Sequence, residues 1–245
     1  MRRSTRKATI SKKEQAIEEF RNKLVINEDI EVTEYAPDVF AFLRQKDGYD
    51  NDTIKKSLDP ETNRSMVFKA GESQGKSGSF FFFSKDQKFI IKTMTDSDFN
   101  AFKRIQKAYF AHVSRHDNSL LARVYGIYSV RMEDQKPVKL IVMENGMKGI
   151  SDVLGVFDLK GSMVNRLVKG KNFKPTTTLK DKNLLAMNQE KIWLRFSEKD
   201  RREILKIMRT DVKILQTYNL MDYSLLMGIQ NNPDYLPARK EFAQS

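Results

Sequence analysis

The chain has 245 residues, no cysteine, and 44 lysines and arginines against 32 acids, a net charge of +12. That length carries one large or two small domains, and the missing cysteine excludes disulfide frameworks, thiol chemistry and cysteine-ligated metals. No apolar run approaches the roughly 20 residues of a membrane span and the basic start lacks a signal-peptide core, so a cytosolic or nuclear chain is expected.

The charge suits nucleic acid, an anionic membrane surface or phosphorylated substrates, and does not choose among them. Residues 1–18 read as a basic, disordered tail, acid-free up to Lys13. A short helix is expected from Lys12 to Arg21. Pro37 opens another through Arg44, because proline is tolerated in a first turn, and Gly48 ends it. Ile54 and Leu58 are expected to pack inward before Asp59-Pro60 turns the chain. Met66 to Lys69 reads as a strand.

The stretch GKSGSFFFFSKDQKFIIKTM at 75–94 organises the first half. Aromatic and β-branched residues from Gly78 to Phe83 and from Lys88 to Met94 flank a polar turn at Ser84–Gln87, which predicts a hairpin. Gly75, Lys76, Ser77, Gly78 and Ser79 put small-residue backbone at its mouth, where N–H groups can approach a phosphate. Lys92 follows two isoleucines, so an apolar strand holds its stem while its ammonium reaches outward, the layout kinases use for nucleotide phosphates. Taken alone, the loop fits a plain polar connection equally well. Ala70 to Ser77 also fits a loose Walker A pattern, but the aromatic run after Ser77 favours a strand where that motif needs a helix.

Ser97 or Asp96 is expected to cap a helix whose apolar side runs from Phe99 to Val113. His112 and His116 lie four apart on it; with no third ligand evident they read as ordinary histidines, exposed or half-buried. Leu120 to Met132 and Val138 to Met143 form a strand pair, and Glu144-Asn145-Gly146 a linker. Asp158 and Lys160, two apart on a strand, point to one face, where they suit a metal or phosphate site or a plain surface ion pair. Lys169 to Lys182 reads as a mobile basic loop, and Lys191 to Phe196 as a strand around Trp193. Ser197 starts a helix, capping-box fashion, whose Ile204, Ile207, Met208, Val212 and Leu215 read as core. Asp222 follows at a junction with an apolar strand, where kinases place a catalytic-loop aspartate; a turn aspartate is the bland alternative.

Together YAPDVFAFLR at 35–44, the 75–94 stretch, NSLLARVYG at 118–126, FDLKGS at 157–162, TLKD at 178–181 and MDYSLLMGI at 221–229 resemble the phosphatidylinositol-phosphate kinases, in order and spacing. The resemblance covers about Phe20 to Asn231. It implies an α+β, two-lobed lipid-kinase fold distantly related to protein kinases, with an antiparallel-sheet N-lobe over 19–145 and a partial C-lobe over 146–245. It further implies transfer of the ATP γ-phosphate, with Mg²⁺, to an inositol-ring hydroxyl of a phosphatidylinositol monophosphate, most simply the 4-phosphate, at a membrane surface. By the same resemblance Lys92 grips the ATP phosphates, Gly75 to Ser79 cover them, and Met143 and Glu144 sit at the adenine hinge. Lys160, beside Asp158 in the DLK pair, lies near the transferred phosphate, and Asp222 acts on the attacking hydroxyl.

The family's downstream Ile-Ile-Asp stretch, with its magnesium-binding aspartate, and the activation loop after it have no counterpart before Ser245. The sequence as written is therefore expected to be C-terminally incomplete, with no metal ligand assigned and reduced turnover. The rival reading is a catalytically impaired membrane-binding scaffold. Nucleic-acid binding rests on charge alone and is not expected. Peripheral attachment to membranes is expected, with the nucleus and a homodimer left open.

Overall fold

In the computed structural model, residues 21–27, 30–64, 80–170, 173, 177–189 and 196–230 are described. Two segments with no element assigned from sequence, apart from the Arg21 end of an expected helix, form strands β1 (Arg21–Asn27) and β2 (Ile30–Tyr35). Arg21 thus opens a strand; Lys12 to Phe20, like the tail and the Met66–Lys69 strand, lie outside the described residues. The expected hairpin is present as β3 (Phe81–Phe83) and β4 (Phe89–Met94), and the strand pair as β5 (Val124–Met132) and β6 (Val138–Glu144). These six strands make one antiparallel sheet in the order β1-β2-β5-β6-β4-β3.

Residues Met1–Asn145 and Glu203–Leu220 form one compact unit, and Gly146–Arg202 with Met221–Ser245 a second. In the first unit, helix α1 (Pro37–Lys46) contributes Val39, Phe40 and Leu43 to the core. Helix α3 (Asp96–Arg115) contributes Ile105, Tyr109, Phe110 and Val113 at helical spacing. They share that core with Phe89 and Ile91 of β4, Tyr125 and Ile127 of β5, and Ile141 and Val142 of β6. The cap of α3 is Thr95 rather than Ser97 or Asp96: Thr95 and Asp98 close a reciprocal capping box, which uses aspartate where glutamate is usual. Ile54 lies on helix α2 (Asn51–Ser57), and both it and Leu58 pack against the core as expected.

The hairpin tip is held from outside the sheet. Asp86 accepts Ser57 Oγ at 2.5 Å and Ser84 Oγ at 2.7 Å, while Asn63 Oδ1 accepts Lys85 N at 2.8 Å. Burial opposes the charge on Asp86, but its hydrogen bonds from Ser57, Ser84 and Lys88 outweigh that and lower its pKa to about 2.

The second unit is built on β7 (Val153–Leu159), β8 (Thr178–Lys180) and β9 (Leu225–Gln230), in the order β8-β7-β9. β7 runs parallel to β8 and antiparallel to β9. Phe157 and Leu179 are its buried apolar residues, and Gly155 is needed because a Cβ there would lie 2.9 Å from the Phe157 ring. The expected mobile loop over 169–182 is corrected at its C-terminal end. Thr178 to Lys180 is a strand, and Asp181 opens helix α4 (Asp181–Gln189).

Helix α5 (Glu198–Thr217) starts where expected, with Ser197 Oγ accepting Asp200 N at 3.0 Å. Its apolar stripe is only half-buried, however, and its buried residue is Asp211. The expected Lys191–Phe196 strand falls almost wholly outside the described residues. No helix among the described residues is long and apolar enough to cross a membrane. The α+β expectation, with an antiparallel sheet in the first unit and a small second sheet, matches the observed architecture.

Candidate functional site

In the first unit, Lys92 lies in the middle of the sheet, paired with Phe81 on β3 and Ile141 on β6. Side chains alternate along a strand, so Lys92 shares a face with Ile90 and, across the ladder, with Met143. Phe89 and Glu144 are paired on the opposite face, where Tyr49 Oη donates to Glu144 Oε1 at 3.1 Å. The Glu144 N–H is spent on Arg123 O at 2.9 Å, and the Asn145 N–H on Lys88 O at 2.8 Å. Met143 therefore accompanies Lys92, whereas the Glu144 side chain is a structural acceptor on the core side. Gly75, Lys76, Ser77, Gly78 and Ser79 lie outside the described residues.

In the second unit three carboxylates and two cations converge. Lys160 leaves the end of β7 and its Nζ donates to Asp222 Oδ1 at 3.0 Å. Asp222 precedes β9 with a positive φ of 60°, a left-handed conformation that aspartate enters more readily than most residues. Its side chain is 92% exposed, against 29% for Lys160. The hydroxyl of Ser224 ties the same turn to β7, donating to Asp158 Oδ2 at 2.9 Å. The structure thus brings Asp158, Lys160 and Asp222 together, with Ser224 as the connector.

Two further residues hold this group and were not singled out from sequence. Arg166 donates to Asp158 Oδ1 at 2.5 Å and to Asp181 Oδ2 at 2.7 Å, and also contacts the Asp158 carbonyl. The other Asp181 oxygen accepts the backbone N–H groups of Lys160 at 3.0 Å and Gly161 at 2.8 Å. Gly161 has φ +66°, which lets the chain turn so that both amides face one oxygen. Burial opposes the Asp181 charge, but Arg166 and these amides hold its carboxyl down at about 2. Asp181 is the last letter of the TLKD stretch, so its position was visible in sequence while its role was not.

The arrangement leaves one exposed carboxylate oxygen on Asp222 beside an ammonium, with the backbone under both fixed from behind. Among the described residues no cluster of three or more His, Asp or Glu could hold a metal ion. Asp158 is fully engaged by Arg166 and Ser224. Magnesium is ordinarily held by one or two carboxylates together with phosphate oxygens and water, and no chemical step is derived through such an ion here. His112 is likewise no ligand: its Nε2 donates to buried Asp211 at 2.5 Å, correcting the expectation of an exposed or half-buried residue.

A family model described as phosphatidylinositol-4-phosphate 5-kinase matches residues 62–244. The phosphatidylinositol 4-phosphate 5-kinase its3 of Schizosaccharomyces pombe is 34% identical over 205 residues, covering 83% of this chain and 27% of that protein. The phosphatidylinositol 5-phosphate 4-kinase type-2 alpha of Gallus gallus is 34% identical over 200 residues, covering 81% of this chain and 47% of its own length. A phosphatidylinositol 4-phosphate 5-kinase of Plasmodium falciparum is 31% identical over 208 residues, 12% of its length. The chain therefore spans less than half the length of these relatives.

Proposed function

Because the chain belongs to the phosphatidylinositol-4-phosphate 5-kinase family, we propose that it carries part of the machinery for ATP-dependent phosphorylation of a phosphatidylinositol monophosphate. The substrate we propose is the 4-phosphate, giving the 4,5-bisphosphate at an anionic membrane surface. The observation that carries the reading is the Lys160–Asp222 pair, held at 3.0 Å on a backbone fixed by Asp181. ATP is the phosphoryl donor the family uses, and Mg²⁺ bound with it would neutralise charge on the phosphates. Phosphoryl transfer asks little covalent work of the protein and much positioning and electrostatic stabilisation.

The geometry and the family motif support the following roles. Asp222 orients the inositol hydroxyl and takes its proton as the oxygen–phosphorus bond forms and the bond to ADP breaks. Lys160 keeps Asp222 directed; because exposed pairs of this kind contribute little stability, its ammonium can turn toward the transferred phosphate. Lys92, projecting from the sheet face it shares with Met143, grips the nucleotide phosphates. A net charge of +12 favours residence at an anionic surface.

The test is turnover of phosphatidylinositol 4-phosphate and 5-phosphate with Mg·ATP by a protein containing this chain and by its Lys160→Ala variant. The proposal expects transfer by the first, faster on the 4-phosphate, and loss of about 10²-fold or more in the second. Lipid binding with no turnover by an intact protein would instead identify a scaffold. Faster use of the 5-phosphate would overturn the substrate assignment.

A further inference from the structure

The connection that follows Lys160 combines properties that rarely occur together. Its polar groups are tied inward. Arg166 is clamped between Asp158 and Asp181, and the Arg166 carbonyl accepts Lys182 N at 3.0 Å. Asn183 brackets Val168, accepting its N–H at 2.9 Å and donating to its carbonyl at 2.9 Å. With the backbone fixed at 166 and 168, the apolar side chains are left pointing out: Met163 is 50% exposed, Val164 76% and Leu167 48%. The usual sorting of polar outside and apolar inside is inverted, on a segment that is anchored rather than free.

Charge identifies what fits this surface. Between Leu159 and Lys180 the sequence carries no acid, and although Lys160 is paired with Asp222 and Arg166 with Asp158 and Asp181, Lys169 and Lys180 add further positive charge to the segment. Lys169 is exposed beside the apolar residues. Exposed apolar tips next to lysine match a bilayer interface carrying anionic headgroups: short apolar side chains enter the acyl boundary while lysine stems carry their charges to the headgroups. A protein groove of ordinary composition offers the apolar half of that match without the negative field.

We propose that Met163, Val164 and Leu167 form a prefixed wedge that inserts into anionic membranes beside the Lys160–Asp222 pair. This deepens the lipid-kinase reading and rests on it for its purpose, though not for its test. Because Asp158, Asp181 and Asn183 have already ordered the loop, insertion carries little further ordering cost.

The experiment is flotation of the full chain with phosphatidylcholine vesicles, with and without phosphatidylserine, comparing wild type, Val164→Asp, Val164→Trp and Leu205→Asp. Leu205 is an exposed leucine on α5, outside the wedge. Wild type is expected to float with anionic vesicles, Val164→Asp to lose about tenfold in partitioning, Val164→Trp to gain, and Leu205→Asp to be unchanged. Unchanged flotation of Val164→Asp overturns the proposal. So does a lowered melting temperature with unchanged flotation, the result expected if another protein segment or a second copy covers these side chains. Failure of the catalytic reading is separate: it shows as no phosphate transfer to short-chain soluble phosphatidylinositol 4-phosphate by an intact protein containing this chain, whatever the flotation result.

Discussion

Asp211 is the hub most exposed to a single substitution. It is 5% exposed on α5 and accepts three donors: His112 Nε2 at 2.5 Å, Ser119 Oγ at 2.8 Å and Leu120 N at 2.7 Å. It thereby fastens α5 to α3 and to the approach to β5 within the first unit. Asp211→Ala leaves three donors without their acceptor. A buried donor left unmet costs about 1–3 kcal/mol. Ser119 can rotate toward solvent, so the expected loss is that of the two remaining donors, about 2–6 kcal/mol in total. Asp211→Asn keeps one acceptor oxygen and should lose about half of that. Urea unfolding followed by far-UV circular dichroism measures the loss, and amide exchange at Leu120 reports locally, where it should accelerate in Asp211→Ala. A loss within about 0.5 kcal/mol, the range of ordinary surface changes, with unchanged exchange at Leu120, would refute the hub.

Asp86 and Asp181 each have a pKa lowered from 3.8 to about 2, so they contribute stability above pH 3.8 that fades as pH falls toward 2. Asp86→Asn and Asp181→Asn should each flatten the fall in stability over that window, as measured by thermal melts across pH. Tyr109 Oη donates to Ala122 O and accepts Val124 N, both at 2.8 Å, so Tyr109→Phe should lose about 1–3 kcal/mol in urea. Gly228→Ala places a Cβ 2.3 Å from Met147 Cε and 2.9 Å from Ile150 Cδ1. Because both are ends of flexible side chains, the cost should sit near 1 kcal/mol, readable as a small drop in melting temperature. Lys92→Met keeps the stem and removes the charge, so it should abolish phosphate transfer while leaving the circular dichroism spectrum unchanged.

What was legible in the sequence was whatever a short period encodes. The β3–β4 hairpin, the β5–β6 pair and the apolar side of α3 follow from alternation, helical spacing and turn residues, and DLK and MDYSLL placed Asp158, Lys160 and Asp222. Positions defined by long-range polar contacts were not legible. Asp211 sits in a stripe whose apolar members looked like core, and only its distant partners His112, Ser119 and Leu120 reveal that it is the buried residue. Asp181 and Arg166 are an ordinary acid and base until the parallel pairing of β7 with β8 brings them together. β8 itself has three residues, too few for alternation to show, so a strand and the start of α4 read as loop. The cap of α3 went to Thr95 over its neighbours because only it has an acid three residues on that reaches back to its N–H.

The most direct test of the central claim is a single-turnover measurement of phosphate transfer from ATP to phosphatidylinositol 4-phosphate by a protein containing this chain, with and without Asp222→Asn. The substitution preserves shape and the contact with Lys160 while removing the proton acceptor, and positioned bases of this kind contribute about 10²–10⁴ in rate. The expected result is a fall of at least about 10²-fold in the transfer step with nucleotide binding unchanged. Transfer at the wild-type rate by a folded Asp222→Asn protein would contradict the assignment of the Lys160–Asp222 pair as the reactive centre.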